Sequence, residues 1–137
     1  MEKDGVSMIR KVYNVNNYWK VIVYYNIDYN FFDYIEDDLI KINASDKVID
    51  RIYYNMYSKY AKACTISSFK YKTSVVLFNN HSNYYDYVNS IIHEAEHVKQ
   101  SMLKYYKIPD KGEAQAYTIG YLASQFIGEI NNIHYSY

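Results

Sequence analysis

The residues with the clearest chemical capacity are His93, Glu94 and His97, which form the pattern H-E-x-x-H. On a helix, positions i and i+4 lie about 40° apart around the axis and about 6 Å apart along it, so both imidazoles can reach one metal ion. Glu94 flanks that face and can reach a water on the metal without binding the metal itself. The spacing therefore predicts a zinc site with Glu94 as the general base.

Two histidines are an incomplete catalytic zinc site, because such a site usually has three protein ligands and one position for water. The metzincin pattern would require Gly at position 100 and His at position 103, but this chain has Gln100 and Leu103. The other common solution is a glutamate on a following helix. Glu113, sixteen positions after His97, is the main candidate for the third ligand.

Glu113 can reach the histidines only if the motif helix ends soon after His97. A helix that ends near Tyr105 has moved about 12 Å beyond His97, and the following residues can span the return at about 3.3 Å each. Pro109 and Gly112 favour a reversal of the chain in this interval. The remaining candidates for this ligand are Asp110, His81 and His134.

The same residues also allow a metal-free interpretation, in which the motif belongs to a solvated helix face. Glu96 and Lys99 have the character of ordinary surface residues. The two histidines, however, are expected near an apolar side of the helix that carries Val88, Ile92 and Ala95. Unpaired imidazoles are costly to bury, so this position favours a metal site.

Apolar spacing predicts the elements that position the motif. Residues 9–15 and 18–25 alternate and predict a β-hairpin across Asn16-Asn17. Helical spacing follows over about residues 31–42 and again from about Asp46.

The sequence of the second half of the chain predicts a strand and two helices. Residues 64–72 look irregular or weakly extended, and Ser74–Phe78 is a clear strand. Ser82 or Asn83 can cap the motif helix, which should end near residues 104–107, and a last helix should run from about residue 112 to 128. This order of strands and helices predicts an α+β fold.

Composition narrows the class of protein. A chain of 137 residues fits one domain, spanning 1–137. Because 15 Lys and Arg balance 15 Asp and Glu, we expect no nucleic-acid partner. Cys64 is the only cysteine, which excludes an intramolecular disulfide and suggests an inert buried thiol in a reducing compartment. Without a signal peptide or membrane span in the sequence, we expect a cytoplasmic protein with no membrane partner.

The segment from His93 to Leu122 resembles the small gluzincins, which are zinc metallopeptidase-like proteins with a minimal thermolysin-type core. It is most similar to compact versions from bacteriophages and bacteria, where H-E-x-x-H precedes a short reversal and E-A-x-A-Y. The preceding strand and helix, roughly residues 74–92, fit that arrangement too, and residues 1–63 match no motif of such proteins. Larger gluzincins often have an acidic residue four positions after the glutamate ligand, where this chain has Tyr117.

The resemblance implies a zincin-like α+β fold, with a small twisted sheet whose edge strand borders the cleft, an active-site helix and a following glutamate helix. It implies Zn²⁺ as the cofactor, His93, His97 and Glu113 as metal ligands, and Glu94 as the catalytic base. Tyr117, Tyr121 and His134 are candidates for a second donor to the substrate carbonyl.

The expected function is a zinc-dependent peptidase that acts on a peptide or protein. An extended substrate could pair with the Ser74–Phe78 strand if that strand is at a sheet edge. The alternatives are a catalytically silent zincin-like scaffold that binds a protein, such as a phage accessory factor, and a metal-free α+β interaction module. The sequence leaves the oligomeric state open.

Overall fold

The computed structural model describes residues 7–15, 18–131 and 133, which form a mixed four-stranded sheet with helices on both faces. The elements in chain order are β1 (Ile9–Val15), β2 (Trp19–Tyr25), a 3-10 turn (Tyr29–Phe31), α1 (Phe32–Lys41), α2 (Asp46–Tyr57), β3 (Ala63–Ser68), β4 (Thr73–Phe78), α3 (Tyr84–Tyr106) and α4 (Gly112–Ile130). The predicted α+β class is confirmed. None of the described helices is long and apolar enough to cross a membrane.

The strands lie in the order β1-β2-β4-β3. β1 and β2 form the predicted antiparallel hairpin, with Val15 opposite Trp19, and its turn residues Asn16 and Asn17 lie outside the described residues. β2 runs parallel to β4, and β3 runs antiparallel to β4. The α1–α2 segment and β3 separate the two parallel strands in sequence, as a parallel pair requires a long connection.

The edge strand β3 bears on two expectations. The segment expected to be irregular or weakly extended contains a regular strand, in which the apolar Cys64 and Ile66 alternate with the polar Thr65 and Ser67 over too short a stretch to give a clear strand signal. Pairing with β4 holds it extended. β4 lies between β2 and β3, so the condition under which a peptide could pair with the Ser74–Phe78 strand, an edge position, is not met.

Two apolar clusters share the sheet, one on each face. The first lies between the sheet and the last two helices, and includes Val23, Val76, Phe78, Tyr87, Ile91, Ala95, Val98, Leu122 and Phe126. The second lies under α1 and α2 and includes Ile22, Tyr24, Ile35, Leu39, Ile52, Met56 and Leu77. Adjacent residues of β2 and β4 point to opposite faces, so each strand contributes to both clusters.

The motif helix α3 begins and ends as the sequence predicts. Asn83 caps it, with its side-chain oxygen accepting from Asp86 N at 2.8 Å. Tyr106 is its last residue, and Lys107 follows with a left-handed φ of 57° that turns the chain away. The helix therefore stops within three turns of His97, which was the requirement for Glu113 to return.

Candidate metal and peptide site

His93 and His97 form an adjacent pair on the solvent side of α3. Their Nε2 atoms are 3.3 Å apart and their rings meet edge to face. Both side chains are exposed, so the expectation that they approach the apolar side of the helix is wrong. Ala95, two positions after His93, is fully buried because it lies about 160° around the helix from it.

The distance between the two Nε2 atoms is suitable for two ligands of one metal ion. Two ligand nitrogens at 2.0–2.1 Å from a tetrahedral zinc lie about 3.3–3.4 Å from each other. The pair on α3 has this spacing. The same distance also permits a weak hydrogen bond between one protonated and one unprotonated ring nitrogen.

Glu94 is positioned differently from the histidines, because its carboxylate turns inward towards β3. The residue is only 5% exposed, and its Oε1 accepts a hydrogen bond of 2.8 Å from Thr65 Oγ1. Its other oxygen, Oε2, lies 4.0 Å from His93 Nε2. The carboxylate is thus held at one oxygen and directed towards the histidine pair at the other.

A groove runs between β3 and α3 past these three residues. Its main part has a volume of about 580 Å³ and is lined by Ala63, Cys64, Thr65, Ser67, Phe69, His93, Glu94, His97, Gln100, Ser101 and Lys104. A smaller part of about 280 Å³ adjoins it, shares Ala63, His93 and Glu94, and adds Lys62, Asn89 and Ser90. We call the two together the β3–α3 groove.

The backbone of β3 is available along this groove. Asn79 N donates to Lys62 O at 2.9 Å, so these two residues form a hydrogen-bonded pair at the start of the β3–β4 ladder. Such pairs alternate along an antiparallel ladder, so Ala63, Thr65 and Ser67 turn their N–H and C=O groups away from β4. In the described part of the chain, no strand pairs with this outer edge.

The structure does not bring Glu113 to the histidine pair. Glu113 is exposed in the first turn of α4, and the described residues contain no group of three His, Cys, Asp or Glu side chains that could hold a metal ion. The side of α4 that faces α3 carries Gln115, and Glu113 lies about 160° around the helix from it. Glu113 as the third ligand therefore stays a prediction.

A buried lysine, Lys99, joins α3 to the start of α4, so the expectation that it is an ordinary surface residue is wrong. Lys99 is 3% exposed, and its Nζ lies 2.6 Å from Glu96 Oε2, 2.8 Å from Asp110 Oδ1 and 3.2 Å from Gln115 Oε1. We call these four residues the Lys99 cluster. Burial lowers the pKa of Lys99, but the hydrogen bonds to Asp110 and Glu96 outweigh burial, so the pKa is raised.

The other candidate ligands have different surroundings. Asp110 belongs to the Lys99 cluster. His81 is buried, with Nδ1 2.7 Å from Asn79 O and Nε2 2.8 Å from Ser90 Oγ, and burial lowers its pKa. His134 lies outside the described residues.

The tyrosines proposed as carbonyl donors do not line the groove. Tyr117 is 74% exposed, and Tyr121 is also exposed. Cys64 does line the groove, but burial, together with the charge of Glu94, raises the pKa of its thiol to about 12. The thiol therefore stays protonated at neutral pH, which agrees with the expectation of an inert cysteine.

No family model, curated protein or solved structure matches this chain.

Proposed function

We propose that this chain is a zinc-dependent peptidase of the gluzincin type, acting on a peptide or protein in the β3–α3 groove. The observation that carries the proposal is the spacing of His93 and His97, whose Nε2 atoms are 3.3 Å apart beside the carboxylate of Glu94. Two imidazoles at this spacing can supply two of the three protein ligands of a catalytic zinc, and the buried carboxylate beside them can act as a base.

In this proposal His93, His97 and Glu113 hold the ion. The contact between Gln115 and Lys99 sets the first turn of α4 beside the part of α3 that carries His97. That first turn has no side-chain cap, and Gly112 before Glu113 has a φ of 71°. The uncapped N–H groups allow the residues before Gln115 to rearrange on metal binding, while the contact between Lys99 and Gln115 keeps the turn beside α3.

The chemistry of the residues follows from their positions. A zinc ion would supply an acidified water and polarise the substrate carbonyl. Glu94 Oε2 would accept the proton of the attacking water and pass it to the leaving amine. The hydrogen bond from Thr65 keeps the other oxygen in place, so the carboxylate presents one basic atom in a fixed direction.

The edge of β3 would hold the substrate in extended form. The outward N–H and C=O groups of Ala63, Thr65 and Ser67 can pair with a peptide by strand addition. Thr65 is both the central residue of this edge and the partner of Glu94. A peptide bound along β3 is therefore brought next to the proposed base.

The test is hydrolysis of a broad peptide mixture by the zinc-loaded chain and its Glu94→Gln variant. We expect kcat to fall by about 10²–10⁴-fold in the variant, because the proton acceptor is lost, while elemental analysis shows unchanged zinc content. Glu36→Gln on α1, at the opposite face of the sheet, is the matched control. Cleavage by Glu94→Gln at the wild-type rate would contradict the mechanism.

A second candidate function is a catalytically silent zincin-like scaffold that binds a protein. It is favoured by the lack of a three-ligand group among the described residues and by the exposure of Tyr117, where larger gluzincins often have an acidic residue. The same peptide mixture separates the two. No hydrolysis at any zinc concentration, with one protein bound at one-to-one stoichiometry, would support the scaffold.

A further inference from the structure

The charges along the β3–α3 groove are distributed unevenly. Its one acidic residue is Glu94, which is buried and already accepts a hydrogen bond from Thr65. Lysines stand at both ends, with Lys62 at one end and Lys104 at the other. With a divalent ion at the histidine pair, the middle of the groove would also carry positive charge.

The two lysines differ in their partners. Lys62 Nζ lies 2.9 Å from each carboxylate oxygen of Asp86, so its charge is compensated within the protein. For Lys104, no carboxylate of the described residues lies within 4.0 Å of the ammonium group. Lys104 therefore offers an uncompensated cation to whatever occupies its end of the groove.

Lys104 also has a defined distance from the histidine pair. It follows His97 by seven residues on α3, and seven residues fall within about 20° of two full helical turns. Lys104 thus lies on the same face as His97, about 10 Å further along the helix. An extended peptide advances about 3.3 Å per residue, so this distance corresponds to about three substrate residues.

We propose that the β3–α3 groove selects peptides that carry a carboxylate about three residues from the bond at the histidine pair, and that Lys104 binds this carboxylate. The carboxylate is an acidic side chain or the terminal group of the peptide. This inference rests on the proposed peptide-binding groove and names the class of substrate that it takes.

The experiment uses extended fluorescent peptides in which one Asp is moved along an otherwise neutral sequence, with Asn at the same position as the reference. Binding is measured by anisotropy with the Glu94→Gln variant, and cleavage is measured with the zinc-loaded wild type. We expect Asp at the position facing Lys104 to bind about two- to fivefold more tightly than Asn, with the ratio falling as salt is added.

Variants of Lys104 provide the decisive comparison. Lys104→Met should remove the preference for Asp, and Lys104→Glu should reverse it in favour of a Lys-containing peptide. Lys47→Glu on α2, the same charge change on the other face of the sheet, should leave the preference unaltered. An Asp-to-Asn ratio that survives in Lys104→Met, or a preference at the Lys62 end, would overturn the inference.

The experiments distinguish the peptidase activity from the role of Lys104. Zinc-dependent cleavage without any preference for Asp would overturn the role of Lys104 and leave the peptidase intact. Binding with the expected preference but no cleavage would overturn the peptidase and leave the role of Lys104 intact. Absence of binding by every peptide would overturn both.

Discussion

The hydroxyl of Thr65 is the part of the site that the H-E-x-x-H pattern does not contain. It donates to Glu94 Oε1 at 2.8 Å, and this bond determines which oxygen of the carboxylate is directed towards the histidine pair. The pattern specifies Glu94 by its place on a helix, but the partner comes from a strand 29 residues earlier in the chain. At the scale of the residue, the orientation of the proposed base therefore depends on two elements together.

Thr65→Val tests this positioning, because it removes the hydroxyl and retains the shape of the side chain. We expect kcat to fall about tenfold while KM and zinc content stay close to wild type, since the carboxylate remains but loses its fixed orientation. The free energy of unfolding should fall by about 1–3 kcal/mol, because a buried acceptor loses its donor.

Thr65→Ser is the matched control, and it should restore both properties by supplying a hydroxyl at the same position. Steady-state kinetics and urea denaturation measure the two effects. A Thr65→Val variant with wild-type kcat would show that the hydrogen bond has only a structural role.

At the scale of the element, the Lys99 cluster determines how α4 begins relative to α3. Lys99 contacts Asp110 in the reversing loop and Gln115 in the first turn of α4, while Glu96 shares its own helix. Glu113 lies between Asp110 and Gln115 in sequence. The position of the proposed third ligand therefore depends on a lysine two residues after His97.

Lys99→Met removes the charge that joins these segments. We expect the variant to bind zinc about tenfold more weakly, as Glu113→Gln should, because the first turn of α4 loses its fixed place. The free energy of unfolding should fall by about 1–3 kcal/mol.

Lys47→Met on α2 is the control, since it removes an exposed lysine from a helix on the other face of the sheet. Zinc affinity is measured by competition with a chelator, and stability by urea denaturation. Unchanged zinc affinity in a destabilised Lys99→Met variant would show that the Lys99 cluster has only a structural role.

The spacing of apolar residues made the helices predictable. The strand β3 was not predictable in the same way, because its pairing with β4 holds it extended. The buried positions Tyr87, Ile91 and Ala95 recur at helical intervals, and Asn83 and Pro109 bracket the helix that carries them. In β3, by contrast, Cys64 and Ile66 alternate with Thr65 and Ser67 over only four residues, so the apolar pattern is too short to specify a strand. A strand held by its neighbour is specified by contacts distant in sequence, and no local pattern reports them.

Some features of the candidate site also follow from local sequence, and others depend on how the helices pack. The approach of His93 to His97 follows from helical spacing alone, and the early end of α3 follows from local turn signals. The contact between Thr65 and Glu94 and the orientation of Glu113 depend on how α3 and α4 pack, which the spacing of residues does not encode. The sequence therefore predicted which residues form the pair, and not which residues surround it.

At the scale of the whole molecule, the sheet joins two apolar clusters, one on each of its faces. Val76 belongs to the cluster under α3 and α4, while its neighbours Val75 and Leu77 belong to the cluster under α1 and α2. A strand that is buried on both faces couples the two layers, because it cannot leave one cluster without leaving the other.

This coupling predicts a cooperative transition. Met56→Ala, on the α2 side, should lower the free energy of unfolding by about 2–5 kcal/mol. The single tryptophan, Trp19, is buried in the other cluster, and its fluorescence should report the full loss. Fluorescence and far-ultraviolet circular dichroism should give one common midpoint in urea. Two separate midpoints would show that the layers unfold independently.

The outer edge of β3 has a further consequence for the behaviour of the protein at high concentration. A strand edge that stays open to an extended peptide also invites pairing between copies of the same chain, which is how aggregation starts. Proline or charged residues within β3 would prevent such pairing, but its sequence Ala63–Ser68 contains neither. Protection is left to the short length of the strand and to Lys62 and Lys70 on its flanks. The open edge that could accept a peptide and the edge that could pair with a second copy of the chain are therefore the same six residues.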